Sequence, residues 1–171
     1  MARALIVLAT LGFALPVRAS DTAVSLSQPQ TMDDLVRMPA ADLRALFAAS
    51  PAGAVPSGFA PGRAIKNPGA RRTAATARTT GLFWKGKEFR SNGTMINHLF
   101  GGVKAIPADV YLGTSRVDGQ PALVFDYARS RAWPTVRDEV REVAPGLYLG
   151  IMYKNGAETN PPMFFALDAR R

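Results

Sequence analysis

Hydrophobic and polar positions divide the chain into regions of different period. Residues 4–15 (ALIVLATLGFAL) form one uncharged apolar run behind Arg3. Residues 31–49 carry a helical period. Thr31 suits a first cap, Asp33 and Asp34 suit the positive end of a helix dipole, and Leu43, Leu46 and Phe47 share one face. Pro39 restarts that pattern and Pro51 ends it. Residues 51–70 alternate Pro51, Pro56, Pro61 and Pro68 with Gly53, Gly58, Gly62 and Gly69, which reads as a loop-rich arm with at most a short strand at Arg63–Lys66. Residues 70–83 read as one Ala-rich helix weakened by threonines.

From Trp84 onward the period shortens. Apolar runs of strand length predict strands at 94–99, 103–106, 109–117, 122–128, 135–143, 147–153 and 163–168. Gly101-Gly102, Asp118-Gly119, Ser130 to Pro134, Pro145-Gly146 and Asn155-Gly156 separate them, and Asp118-Gly119 predicts a type I′ hairpin turn. Leu147, Leu149, Ile151 and Tyr153 fall on one strand face, with Tyr148, Gly150, Met152 and Lys154 on the other. Met163, Phe165 and Leu167 form a similar row. Apolar groups on both faces predict strands that line an interior on one side and pack under the N-terminal helices on the other. The expected class is α+β: N-terminal helices and a Pro/Gly arm, then an antiparallel, calycin-like barrel or half-barrel of about seven strands.

The first nineteen residues are set apart from this fold. A basic start, an apolar stretch too short to span a bilayer as a helix, and small residues around Ala19 and Ser20 make a secretory signal peptide with cleavage near Ala19. The expected division is 1–19 signal peptide, 20–56 helical segment and linker, and 57–171 barrel. That assigns a periplasmic or secreted location.

Composition narrows the chemistry. The 171 residues include no cysteine and one histidine, His98. Disulfides, thiolate metal sites and cysteine nucleophiles are excluded, and no metal site is expected. No P-loop, Gly-x-Gly-x-x-Gly turn or Gly-x-Ser-x-Gly elbow occurs. His98 reads as a surface or satisfied core residue. A haem axial role exists in other small barrels, but no cofactor is assigned here.

Trp84-Lys85-Gly86-Lys87-Glu88-Phe89 resembles the W-x-G-K-x-F signature of the Gly-x-Trp-x-Gly type proteins, a family of unknown function. The segments 123–127, 137–143, 149–152 and 164–167 are similar to the C-terminal domain of that family, so the resemblance spans about residues 57–168. It implies a small β-rich fold and no particular activity.

Several side chains could carry chemistry. On a strand, Val136, Asp138 and Val140 share one face, while Arg137, Glu139 and Arg141 share the other. The row reads either as cross-strand salt bridges in solvent or as an inward Asp138 that anchors a ligand head or acts as a base. Asp126 faces out if Tyr127 faces in, and the register decides between them. Trp84 reads either as a plug flanked by solvated Lys85 and Lys87 or as an aromatic wall with a cationic rim. The expected ligand contacts are Trp84, Tyr127, Arg141 and Tyr153. The catalytic candidates are Asp126, Asp138 and His98.

The net charge is +8, and no acidic residue lies between Leu43 and Lys87. Arg63, Lys66, Arg71, Arg72 and Arg78 make that stretch a one-sided basic arm, better suited to an anionic membrane or envelope surface than to nucleic acid. The leading functional expectation is a non-catalytic barrel that binds an apolar or amphipathic small molecule, such as a lipid. One alternative is a cofactor-free isomerase, lyase or cyclase using a carboxylate, Tyr127, Arg141 and His98 inside the barrel. The other is an envelope-associated structural protein that uses the basic arm.

Overall fold

The computed structural model describes residues 28–170. The expected signal peptide, with cleavage near Ala19, lies outside the described residues. Two short helices come first, α1 (Met32–Arg37) and α2 (Ala40–Ala49). Thr31 caps α1: its hydroxyl accepts from the Asp34 N–H, and the Asp34 carboxylate accepts from the Thr31 N–H. Strand β1 (Gly58–Lys66) leads into α3 (Thr73–Phe83) and β2 (Trp84–Phe89). Then follow β3 (Thr94–Leu99), β4 (Lys104–Thr114), β5 (Pro121–Asp126), β6 (Val136–Ala144), β7 (Leu147–Lys154), the two-residue β8 (Ala157–Glu158) and β9 (Met163–Asp168).

Eight of these strands close into an antiparallel barrel. Each of β1 to β6 pairs with the next in sequence, β6 pairs with β7, β7 with β9, and β9 returns to β1. The chain therefore runs up and down around the barrel. Strand β8 only extends the edge of β7 through an Asn155-Gly156 turn in which both residues have positive φ. That is the geometry a type I′ turn needs.

Four expectations need correction. The Pro/Gly stretch is not an arm over residues 58–66: it is strand β1, paired on both edges. The basic residues accordingly sit on β1, on the turn after it and on α3. The segments 103–106 and 109–117 are one strand, β4, which crosses a bulge opposite Ile96 and Asn97, where Ile106 takes a φ of 59°. Residues 84–89, outside the expected strands, form β2. The Asp118-Gly119 hairpin exists, but with a longer loop. Thr114 pairs with Pro121, and only Gly119 of the two central residues has positive φ.

Two buried layers result. The outer one lies between the helices and one side of the barrel. It joins Leu35, Leu43 and Phe47 to Ile65, Leu147, Leu149, Ile151, Tyr153 and Phe164. The inner one fills the lower half of the barrel with Phe89, Met95, Leu123, Phe125, Val140, Tyr148 and Leu167. The alternation along β7 thus divides as expected, with Leu147, Leu149 and Ile151 under the helices and Tyr148 and Met152 inside. Gly150 is the interior position between those two, and a Cβ there would stand 2.1 Å from the Phe165 ring. Glycine at this point lets the ring lie across the barrel.

Residues 51–57 cross the filled end. The Glu142 N–H donates to the Pro51 carbonyl, and the Tyr148 hydroxyl donates to the Ala54 carbonyl at 2.9 Å. Partial burial beside Glu142 pushes that phenol up to about 12. Among the described residues no helix is long and apolar enough to cross a membrane.

Candidate functional site

The upper half of the barrel is open. A cavity of about 350 Å³ lies there, and exposed Lys66, Phe83 and Trp133 mark where it reaches the surface. Seven of the eight barrel strands, or the residues directly after them, contribute, together with α3. The C-terminal part of β1 supplies Ala64, the last turn of α3 supplies Thr80, and β2 supplies Trp84 and Lys87. Asn97 and Leu99 come from β3, Tyr127 from the end of β5, Asp138 from β6, Met152 from β7, and Met163 and Phe165 from β9.

Strand parity explains the inward set on β2. Phe89 belongs to the inner core, so Lys87, two residues earlier, also points inward. Trp84 has the opposite parity, yet it lines the cavity because the strand bulges between Trp84 and Gly86. Gly86 takes a φ of 144° at this point, and a Cβ there would meet the Ala60 carbonyl oxygen at 2.1 Å. Gly62 on β1 clears the space for the indole: a Cβ there would lie 2.4 Å from the Trp84 ring.

One polar cluster sits at the base of the cavity. Lys87 Nζ donates to the Tyr127 hydroxyl oxygen at 2.5 Å, to Asn97 Oδ1 at 3.1 Å and to Asp138 Oδ2 at 3.3 Å. The Tyr127 hydroxyl donates to Asp138 Oδ2 at 3.0 Å. Trp84 Nε1 donates to Asn97 Oδ1 at 2.9 Å, and Asn97 Nδ2 donates to the Ile106 carbonyl. The ammonium also lies 5.0–5.5 Å from the ring centres of Trp84, Phe125, Tyr127 and Phe165. Such rings favour a cation, especially one removed from water.

All four members are buried, Lys87 at 3% exposure and Asp138 at 4%. Burial disfavours the charged form of each titratable group. It holds Lys87 below the usual lysine range, although the Asp138 charge opposes this. It raises Asp138 against the pull of Lys87 and of the Tyr127 hydrogen bond. Tyr127 is pushed well up, first by burial and then by the neighbouring carboxylate. Both members of the ion pair are thus driven toward neutrality, and the cluster carries no net charge in either form.

The other sequence candidates lie elsewhere. His98 is on the outside of β3, where its Nε2 meets Glu88 Oε2 at 2.7 Å and its ring lies against Phe59. Asp126 also faces outward, accepting from the Tyr111 hydroxyl and the Ala128 N–H. Tyr153 belongs to the layer under the helices, with the Arg116 guanidinium 5.2 Å from its ring centre. Arg141 is buried on the outer face of β6. There it donates to Asp118 and to the carbonyls of Phe47, Ala48 and Pro121.

Of the four groups that the enzyme alternative needs in one cavity, only a carboxylate, Asp138, and Tyr127 meet. Trp84 lines the same cavity, and Lys66 lines its mouth. Arg63 is half-buried on β1, while Arg71, Arg72 and Arg78 are exposed on the turn and on α3. Lys87 and Asn97 were missed as site residues. The signal for Lys87 was its parity with Phe89, which outweighs the usual solvation of lysine.

The cavity mouth is apolar on its outside as well. Leu82 and Phe83 at the end of α3 and Phe100 in the short helical turn after β3 are each more than half exposed, and Trp133 stands at the edge of the cavity.

No protein-family model matches the chain, and no curated protein matches it. Among solved structures it is similar to the crystal structure of a protein from Thermomonospora curvata, with a TM-score of 0.52 and 17% sequence identity. The alignment covers 79% of this chain and 90% of that one. At that identity the likeness shows the fold alone.

Proposed function

We propose that the protein is an exported, calycin-like barrel that binds an apolar or amphipathic small molecule in its open half. The observation that carries the reading is the cavity itself: apolar walls, an entrance, and one polar cluster at the base. This is the composition of ligand sites in general, in which a few polar groups orient an otherwise greasy molecule. The ligand's apolar body would lie against Met152, Met163, Leu99 and Phe165, with its polar end on the Lys87–Asn97–Tyr127–Asp138 cluster. Because Lys87 and Asp138 cancel, the base suits an uncharged hydrogen-bonding end such as a hydroxyl or carbonyl. Within the segment 84–89, Trp84 and Lys87 line this cavity, while Phe89 packs in the filled core beneath it.

Nile red titration tests this. Saturable, blue-shifted emission is expected from the protein, with displacement by decanol. Met152→Trp fills the cavity and is expected to weaken binding by about tenfold or more. Absence of saturable binding, or unchanged binding in a folded Met152→Trp variant, would reject the reading.

The apolar rim supports a second reading, attachment of the mouth to an anionic envelope surface. Leu82, Phe83 and Phe100 would enter the interface, and Arg71, Arg72 and Arg78 would add roughly 1 kcal/mol each near the headgroups. Changing the three arginines to glutamine should abolish binding to phosphatidylglycerol vesicles at low salt. Equal binding by the triple variant would remove the basic segment from this role.

A further inference from the structure

Lys87 is the one group at the base of the cavity whose chemistry goes beyond recognition. Its residue lines the cavity, and its amine has a carboxyl group at 3.3 Å and a phenol at 2.5 Å that itself donates to that carboxyl. The walls around the amine are aromatic rings, so water does not level its basicity. Moving one proton from the ammonium to Asp138 leaves a neutral amine and a neutral acid with no change in net charge. Burial pushes both groups in that direction. A desolvated, uncharged lysine amine is the nucleophile that condenses with carbonyl compounds.

We infer that Lys87 captures an aldehyde or ketone with an apolar body as a covalent imine inside the barrel. This rests on the ligand-binding reading above and names the chemical class of the ligand. The amine lone pair forms the N–C bond while the carbonyl π pair moves to oxygen, which takes the Asp138 proton. Asp138 then takes a proton from the nitrogen and returns it to the hydroxyl, which leaves as water. The nitrogen lone pair closes the C=N bond. In sum, the amine and the carbonyl compound, with the proton held by Asp138, give a protonated imine, an Asp138 carboxylate and one water. The protonated imine takes over the ion pair that the ammonium made, and the Tyr127 hydroxyl stays hydrogen-bonded to the carboxylate throughout. No oxidant, reductant or metal is needed.

Decanal with sodium cyanoborohydride at neutral pH, followed by peptide mass mapping of the full chain, tests the inference. Cyanoborohydride reduces the imine to a stable secondary amine, so the site is read directly. Alkylation at Lys87 is expected to exceed that at exposed Lys85 and Lys154 by about tenfold or more. Asp138→Asn, which keeps the amine but removes the proton carrier, is expected to slow labelling by about a hundredfold. Decanol, which cannot form an imine, separates the two readings. If decanol displaces Nile red but Lys87 stays unlabelled, covalent capture is overturned and the binding reading stands. If decanol displaces nothing and Lys87 is unlabelled, both fall. Label spread evenly over the lysines also overturns capture, and an unchanged rate in Asp138→Asn overturns the proton transfer assigned to that residue.

Discussion

Lys87→Met alone is expected to destabilise the protein by about 3–5 kcal/mol, and adding Asp138→Leu is expected to restore most of the loss or exceed wild-type stability. The single change strands a buried carboxyl group whose cationic partner is gone and which keeps only the Tyr127 hydrogen bond. The double change removes both members from a site that already carries six aromatic and two thioether side chains nearby. Desolvation wins over attraction here, as the opposite displacements of the two pKa values show. The sign with pH follows. A lysine whose folded pKa is depressed costs stability while it is charged, and that cost is relieved as pH rises toward the unfolded value. An aspartate whose folded pKa is raised costs stability while it is charged, and that cost is relieved as pH falls toward its unfolded value. The advantage of the double variant is therefore widest near neutrality. Urea unfolding of the four members of the cycle gives the answer. A double variant as unstable as Lys87→Met would mean that the pair holds the fold together, which would weaken the case that it is kept for a ligand.

Arg141→Met should also cost about 3–5 kcal/mol, by a different route. Its guanidinium is 1% exposed and reaches both carboxylate oxygens of Asp118 at 2.7 Å. It also donates to the Phe47 and Ala48 carbonyls at the end of α2 and to the Pro121 carbonyl at the start of β5. One side chain thus joins a helix end, a hairpin and β6, and methionine leaves these acceptors without it. The hydrogen bonds from Arg141 hold the Asp118 carboxyl below its usual range. Its contribution is then present above the unfolded value, about 4, and is lost as pH falls through the folded one. Wild type should lose this increment on acidification, and Arg141→Met should not. Thermal melts of both proteins between neutral and acid pH measure the difference. Nile red affinity should be unchanged in Arg141→Met, because the residue lies outside the barrel. A loss of binding with full stability would return Arg141 to the site.

The sequence misplaced Arg141 and Tyr153 because this barrel has two buried layers. Alternation along β6 and β7 separates the faces correctly, but a buried position looks the same whether it lies inside the barrel or under the helices. Asp138 and Tyr127 were legible because each shares a face with apolar neighbours of the right parity, Val136 and Val140 in one case and Leu123 and Phe125 in the other. Strand β1 was hidden by its own interior face. Ala60, Gly62 and Ala64 are small because Trp84 and its neighbours occupy the space they leave, so the strand carries little hydrophobic signal. The bulge that turns Trp84 inward depends on the close approach of Gly86 to β1, a long-range constraint that a local period does not contain.

The pairing of β1 with β9 sets the order in which the molecule can assemble. Neighbouring hairpins from β1 to β7 need only local loop closure, whereas Gly62 meets Leu167 about a hundred residues away. Such non-local contacts raise contact order and slow folding, because the entropy of closing the loop is spent before the contacts repay it. Until that seam zips, β1 and β9 present open edges, which makes the nearly complete meander the species most prone to edge-to-edge association. Lys87 and Asp138 remain hydrated ions in that species. Their dehydration falls at the closing step, so water re-entering at the seam would be the natural start of unfolding.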